Sequence, residues 1–478
     1  MHHTVKEKNN RVLFWGAGDF LRSQLDHIFS LPNTDIIGIA DNNKTLYGTW
    51  IKNCQINPLE YYNNSNYDYI VITSTYACDI INGLIKQGIP RTKVLRYREY
   101  LALVRKDDYT FYDAKHEYDS RKKKILLITP EIVFSNGATM AGFYLLQSLI
   151  SRNYSVAMAA TTGDKDCIEY FVKMGISVHI CISLEFRSYG EMDWMHEYDT
   201  LIVNTYSLSD LIMNLACPFK VIWWLHETDY FYDIEIKMWG RLSDDDLSKC
   251  YVLCVSKVAQ SYFKTYYPNG NSSVMEYGIP CAGSNKKKNE LNKTDRRQKI
   301  VFALIGDIYE LKGQDIFLQA IEKLECDIND CEFWLVGRKR ETAFCRSIIQ
   351  KLSDLENVRY LGVKTSDEIK ELYRSVDVVV SASRRDMLPI VITEAMMYEK
   401  LIIIPDSIGT IDYVRHNEEA LVFKTEDVIG LKNAIELVIQ RPEMIEGLGK
   451  NARKVYQKHF SLEALGDRIE EAFECAGM

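Results

Sequence analysis

Three times this chain runs a short apolar stretch into a glycine-bearing loop and then a helical pattern. The stretches are RVLFWGAGDF from Arg11, KILLITPEIVFSNGAT from Lys124 and IVFALIGDIYELKG from Ile300. Each fits a buried strand, a turn, and a helix whose apolar residues recur at helical spacing. The repeated order reads as three Rossmann-like α/β units in series. A length of 478 residues is enough for about three domains.

Composition excludes several classes. Hydrophobic residues make up 47% and charged residues 26%, ordinary for a soluble globular protein. No apolar run approaches the roughly 18–20 residues of a membrane helix. The opening MHHTVKEKNN has no apolar core, so no signal peptide is expected. The twelve cysteines are scattered without a CxxC pair, and Cys250 and Cys254 read as packing, so a reducing cytoplasm is expected. A net charge of −8 argues against nucleic-acid binding. The basic runs Arg121–Lys124 and Lys286–Lys288 read as solvated linkers, with a peripheral contact to the inner membrane face as the alternative.

The first unit is expected over residues 1–106. Gly16 and Gly18 either bring the backbone close to a phosphate or simply tighten a turn. Leu21 stands where a third fingerprint glycine would be, so the dinucleotide match is partial. Asp41, ending DIIGIAD, lies about where a ribose-binding acid would stand. A nucleotide site at Gly16, Gly18 and Asp41 and a purely structural unit are both open readings. Residues 107–123, charged and aromatic, read as a linker with at most one helix.

The second unit is expected over 124–290, with further strands at YSVAMAA, GISVHICI, YDTLIVNT and FKVIWWLHE. His226 and Glu227 follow the last of these, at a strand's C-terminal end, where α/β sites gather. The third unit, over 291–460, opens with a strand ending at Gly306 and continues with FWLVGRKRE, which ends at Gly337. A C-terminal helix is expected over 461–478. Asp244-Asp245-Asp246 reads as a solvated helix start.

In the stretch SRRDMLPIVITEAMM, an apolar strand runs into a polar loop and then an apolar helix. Asp386 lies in the loop and Glu394 inside the helix, with Pro389 suited to the first turn. Two acidic acceptors for hydroxyls therefore flank a helix N-terminus, a natural seat for a diphosphate. That combination describes a nucleotide-sugar site.

The same stretch resembles the donor site of GT-B retaining glycosyltransferases of family 4. Asp386 stands for the family's first Glu, Met387-Leu388-Pro389 for its Gly-Phe-Gly-like loop, and Glu394-Ala395-Met396 for its Glu-Ala-Met helix. SNGA, WWLHE, GDIYELKG and VGR occur in the family's order, and the resemblance covers roughly residues 124–470. It implies two facing Rossmann-like domains, here preceded by a third, small one, with the C-terminal helix crossing back to the acceptor-side domain. Glu394 would hold the nucleotide ribose and Asp386 the donor sugar. Lys312 would neutralise the leaving diphosphate, and His226 would orient the sugar. Gly306, Gly337, Arg338, Val363 and Met387 to Ile390 would complete the donor site, with Ser407–Thr410 lining the diphosphate. Asn136, Gly137 and Ala138 would form the loop nearest the acceptor, Gly137 also approaching the donor, and Glu227 would stand on the acceptor side.

The chain departs from the pattern at Asp307, where the family commonly has Arg, so a second cation must come from Arg338, Arg384 or Arg385. Tyr277 and Pro280 replace an Asn and an Asp in the EYGIP turn. The resemblance implies a metal-independent transferase with no cofactor, since the nucleotide-sugar is a substrate. It would move a hexose from the nucleotide-sugar to a glycan or lipid-linked acceptor, in bacterial surface-polysaccharide synthesis. A non-catalytic sugar-nucleotide-binding subunit is the alternative. A GT-B epimerase or hydrolase has less support, because the sequence offers only His226 and Glu227 as an acid/base set.

Overall fold

The computed structural model describes residues 9–62, 66–115, 122–281 and 299–478. The Lys286–Lys288 run and the expected boundary near residue 290 lie outside them. Three parallel-rich sheets follow the three apolar repeats. The first holds β1 (Asn10–Trp15), β2 (Thr34–Ala40), β3 (Trp50–Ile51), β4 (Cys54–Asn57), β5 (Tyr69–Ile72) and β6 (Val94–Arg96), in the order β3-β4-β2-β1-β5-β6.

The next strands are β7 (Tyr109–Tyr112), β8 (Lys124–Ile128), β9 (Glu131–Ile132), β10 (Ser155–Ala160), β11 (Thr162–Gly163), β12 (Ser177–Cys181), β13 (Thr200–Asn204), β14 (Val221–Leu225), β15 (Cys250–Cys254) and β16 (Ser272–Val274). Eight of them form a sheet in the order β16-β15-β14-β13-β8-β10-β12-β7, while β9 pairs with β11. Part of the segment expected as a linker is therefore a strand: β7 runs antiparallel along β12, with Tyr109 opposite Cys181 and Tyr112 opposite Val178.

The third sheet holds β17 (Ile300–Ile305), β18 (Cys331–Val336), β19 (Val358–Tyr360), β20 (Val378–Val380), β21 (Leu401–Pro405) and β22 (Leu421–Phe423). Its order is β19-β18-β17-β20-β21-β22, and all neighbouring pairs are parallel. Helices cover such a sheet on both faces, so its central strands β17, β20 and β21 are apolar, and β21 (LIIIP) is buried at every position. Phe302, Phe317 and Phe333 anchor the core, with Phe302 and Phe333 stacked at 5.1 Å.

Backbone contacts divide the chain into two compact units. One comprises 1–139, 154–223 and 229–251; the other comprises 140–153, 224–228 and 252–478. Within the second unit, the C-terminal helix Leu462–Ala476 starts on a Ser461 cap and packs by Arg152, which pairs with Asp467 and Glu470. The Ser148 hydroxyl donates to the Leu462 carbonyl.

Candidate functional site

The order of the third sheet fixes where a ligand can bind. From β17 the chain moves outward through β18 and β19, then returns to β20 on the other side of β17 and moves outward through β21 and β22. Connections therefore diverge between β17 and β20, leaving a crevice beyond their C-terminal ends. The loop after β17 carries Lys312, and the loop after β20 carries Asp386. The structure joins them: Lys312 Nζ lies 2.5 Å from Asp386 Oδ2, with side-chain exposures of 23% and 16%. Burial works against the ammonium, but Asp386, Tyr309 and Asp307 together outweigh it and hold the Lys312 pKa above its ordinary value.

Local backbone geometry sets this pair in place. Gly313 follows the short turn Glu310–Lys312 with φ +66° and opens the helix Gln314–Glu322. A Cβ there would lie 2.0 Å from the Ala382 carbonyl oxygen. Asp386 is fixed from the other side by the turn after β21, whose Gly409 N–H donates to the Asp386 carbonyl. Gly409 presses so closely on the Met387 carbonyl that a side chain could not fit. The Ser407–Thr410 turn is thus a neighbour of the acidic loop.

Met387, Leu388 and Pro389 are buried, and the helix Ile390–Met397 begins immediately after Pro389, its N-cap. Glu394 lies one turn in. The Tyr373 hydroxyl, from the helix Ser366–Ser375, lies 2.8 Å from Glu394 Oε2 and 3.1 Å from the Val391 carbonyl. Burial pushes the Glu394 carboxyl up to about 7, against the lowering effect of the Tyr373 hydrogen bond. The Tyr373 ring stacks on Tyr398 at 5.1 Å.

Tyr277 enters the same neighbourhood. It is buried, and its hydroxyl shares a 2.9 Å hydrogen bond with the Thr393 hydroxyl, beside Glu394. Burial raises the Tyr277 phenol well above its ordinary value. Sequence reasoning registered Tyr277 only as a departure and passed over Tyr373; an aromatic residue in a charged amphipathic helix gives no local sign of what it will face.

The strand-end glycines gather at the crevice. Gly337 N–H donates to the Gly362 carbonyl, next to exposed Val363, and Gly306 N–H donates to the Val336 carbonyl. Arg338, after β18, is drawn onto Asp307, with Nη2 at 3.4 Å. Arg384 is committed elsewhere, chelating Asp315 at 2.7 and 3.0 Å and pairing with Glu426. Arg385 is exposed.

His226 directly follows β14, its ring tilted against that of Trp224 at 4.6 Å, and its main-chain N–H donates to Glu227 Oε2. Burial pushes the imidazole pKa down to about 3, so the ring is neutral near pH 7. Asn136 caps the helix Gly137–Ser151: its Oδ1 accepts from the N–H groups of Ala138 and Thr139. The Ala138 carbonyl accepts from Asn204.

In the first module, Asp41 accepts from the Ala17 N–H and the Asn43 N–H, both at 2.7 Å. Its carboxylate thus closes the Gly16–Gly18 loop on itself. The following helix is broken into Asp19–Ser23 and Leu25–Ile28. Asp244 to Asp246 form the first turn of a short helix capped by Ser243. Among the described residues, no group of three or more His, Cys, Asp or Glu side chains is placed to hold a metal ion. Among the same residues, no helix is long and apolar enough to cross a membrane.

Known proteins resemble the chain in the same region. Residues 284–455 match the family described as "Glycosyl transferases group 1", and residues 8–95 match "C2185-like, N-terminal". The alpha-D-kanosaminyltransferase of Streptomyces kanamyceticus is 23% identical over 174 residues, 36% of this chain and 45% of that protein. The N,N'-diacetylbacillosaminyl-diphospho-undecaprenol alpha-1,3-N-acetylgalactosaminyltransferase of Campylobacter jejuni is 26% identical over 155 residues, 32% of this chain and 39% of its own length. The chain thus spans less than half the length of these curated relatives. Anabaena Alr3699/HepE, solved in complex with UDP and glucose, aligns with a TM-score of 0.58 at 16% identity, covering 74% of this chain and all of that one. The fold is the mixed α/β fold of the GT-B glycosyltransferases, preceded in sequence by a small α/β module, and residues 284–455 match the group 1 glycosyl transferase family.

Proposed function

We propose that the protein is a metal-independent, retaining glycosyltransferase of family 4 that moves a hexose from a nucleotide-sugar donor to a glycan or lipid-linked acceptor in surface-polysaccharide assembly. The observation that carries this reading is the meeting of Lys312 and Asp386 at the divergence of β17 and β20, with Glu394 on the adjoining helix. A diphosphate at the N-terminus of the Ile390–Met397 helix finds unpaired N–H donors and a positive dipole end. Lys312 then turns from Asp386 to the diphosphate, and Asp386 becomes free to accept from sugar hydroxyls. Glu394, when ionised, accepts from the ribose.

As the sugar–phosphate bond breaks, charge builds on the departing diphosphate, where a preplaced ammonium does the most to lower the barrier. The departing phosphate takes the acceptor hydroxyl's proton on the same face, so configuration is retained. Neutral His226 positions the sugar by hydrogen bonding. Glu227 serves the acceptor. A cytoplasmic enzyme, peripheral to the inner face of the membrane, suits a lipid-linked acceptor, and the name of the Campylobacter relative includes such an acceptor.

Purified Lys312→Ala and Glu394→Ala variants are expected to keep the wild-type circular dichroism spectrum and lose transfer by ~10²-fold or more, measured as nucleotide release from a sugar-nucleotide panel. Near-normal turnover in either would count against this site. The second reading, a sugar-nucleotide-binding subunit without turnover, draws on Asp386 already neutralising Lys312. It predicts donor binding with no nucleotide release for any acceptor tried.

A further inference from the structure

Asp307, in the loop after β17, meets two arginines of the loop after β18. The Asp307 Oδ2 atom lies 3.4 Å from Arg338 Nη2 and 3.4 Å from Arg340 Nη2. Oδ1 of the same carboxylate accepts from the Arg338 main-chain N–H at 3.3 Å. The two loops are also laced by backbone: the Ile308 N–H donates to the Arg338 carbonyl, and Ile308 bridges Lys339. A Cβ at Gly337 would lie 2.1 Å from the Gly306 carbonyl, so the loops after β17 and β18 touch directly.

Arg340 has a second support. Its guanidinium lies over the Tyr309 ring, 4.4 Å from the centroid. Tyr309 opens the turn that ends at Lys312, and the Lys312 N–H donates to the Tyr309 carbonyl. Both arginines remain about half exposed, at 57% and 49% of their side-chain surface. One carboxylate with two guanidiniums leaves positive charge unmatched and N–H donors unfilled. Taken with the Lys312–Asp386 pair, three cations meet two carboxylates at one end of the sheet.

We propose that Arg340, held by Asp307 and Tyr309 and seconded by Arg338, is the second cation that binds the donor's diphosphate beside Lys312. Asp307 is then a positioning residue: its carboxylate in the β17 loop orders two arginines brought from the β18 loop. Long side chains lose rotamer freedom on binding, and a tether that orders them beforehand reduces that cost. Arginine suits the task, because its planar fork matches two phosphate oxygens. The inference rests on the donor-site reading above, and the experiment separates their failures.

Calorimetric titration with UDP, GDP, ADP, dTDP and inorganic pyrophosphate is made on wild type and on Lys312→Ala, Arg340→Ala, Arg340→Lys, Arg338→Ala/Arg340→Ala and Asp307→Asn. With whichever of these binds wild type, Arg340→Ala is expected to weaken binding about 10-fold and Arg340→Lys to restore part of it. The double variant should be weaker still, and Asp307→Asn intermediate. The matching nucleoside, lacking phosphate, should bind all variants alike. If Lys312→Ala weakens the diphosphate and the arginine variants bind as wild type, Arg340 is not the second cation and the donor site stands. If Lys312→Ala also binds as wild type, or no diphosphate binds at all, both readings fall.

Discussion

Glu394 holds its proton to about pH 7 because the folded chain shields it from water, and Tyr373 is the one side chain shown opposing that shift. The Tyr373 hydroxyl has one proton and two acceptors in reach, Glu394 and the Val391 carbonyl. Ionised Glu394 takes that proton; neutral Glu394 can donate to the phenol oxygen, freeing the Tyr373 proton for Val391. Ribose binding wants the ionised form, so donor affinity should rise as pH passes upward through about 7. Tyr373→Phe removes the lowering influence and should move that midpoint to higher pH, which a pH series of donor titrations would read. The stability sign runs the other way. A carboxyl raised on folding keeps its proton when the unfolded chain has lost it, so stability falls as pH rises from the ordinary 4.5 to about 7. Glu394→Gln should flatten that decline in thermal melts; an unchanged slope would mean Glu394 is not shielded. At this scale strand–loop–helix grammar marked Asp386 and Glu394, the resemblance marked Lys312, and the structure adds that Lys312 and Asp386 pair. The sequence could not carry Tyr373, Tyr277 or the Arg340 tether, since those depend on which distant element packs alongside.

Elements were legible where burial forces a pattern. The apolar runs of β17 and β21 read as strands because a sheet covered on both faces buries them almost end to end. β7 was missed for the opposite reason: its four residues YTFY are all exposed at a sheet edge, so nothing imposes alternation. Its place is set instead by partners remote in sequence, the Tyr109 hydroxyl meeting His179 at 2.8 Å and the Phe111 ring packing on the same imidazole at 4.6 Å. The turn at Gly313 shows how an element's start governs the site. A left-handed φ and direct contact with the Ala382 carbonyl exclude any side chain. Gly313→Ala should therefore cost about 1–3 kcal/mol of stability and weaken donor binding by displacing Lys312. Equilibrium urea unfolding checks the first, and a variant as stable as wild type would show that the turn is not constrained.

Across the whole molecule, the residues proposed to hold the donor, Lys312, Asp386 and Glu394, lie on two loops and a helix of one parallel sheet. The small leading module is bound by its own set of contacts within the first unit. There the Arg96 guanidinium bonds the Met238 and Trp239 carbonyls and lies over the Trp239 ring, and Arg98 pairs with buried Glu185 at 2.6 Å. Asp210, buried beside Glu185, is held well above the ordinary carboxylate range, first by burial and then by Glu185. The module's glycine loop is closed by its own Asp41, so nucleotide stabilisation of the chain is expected to come from the third sheet. The most direct test is a thermal-shift screen of the full chain against UDP-, GDP-, ADP-, dTDP- and CMP-sugars and NAD, repeated on Lys312→Ala and on Asp41→Ala. Saturating a site stabilises the fold by an amount set by ligand concentration over Kd, about 2.7 kcal/mol at a hundredfold excess. The account predicts that at least one sugar nucleotide raises the melting temperature of wild type and of Asp41→Ala, and that Lys312→Ala abolishes the rise. A rise that survives Lys312→Ala and disappears with Asp41→Ala would contradict it.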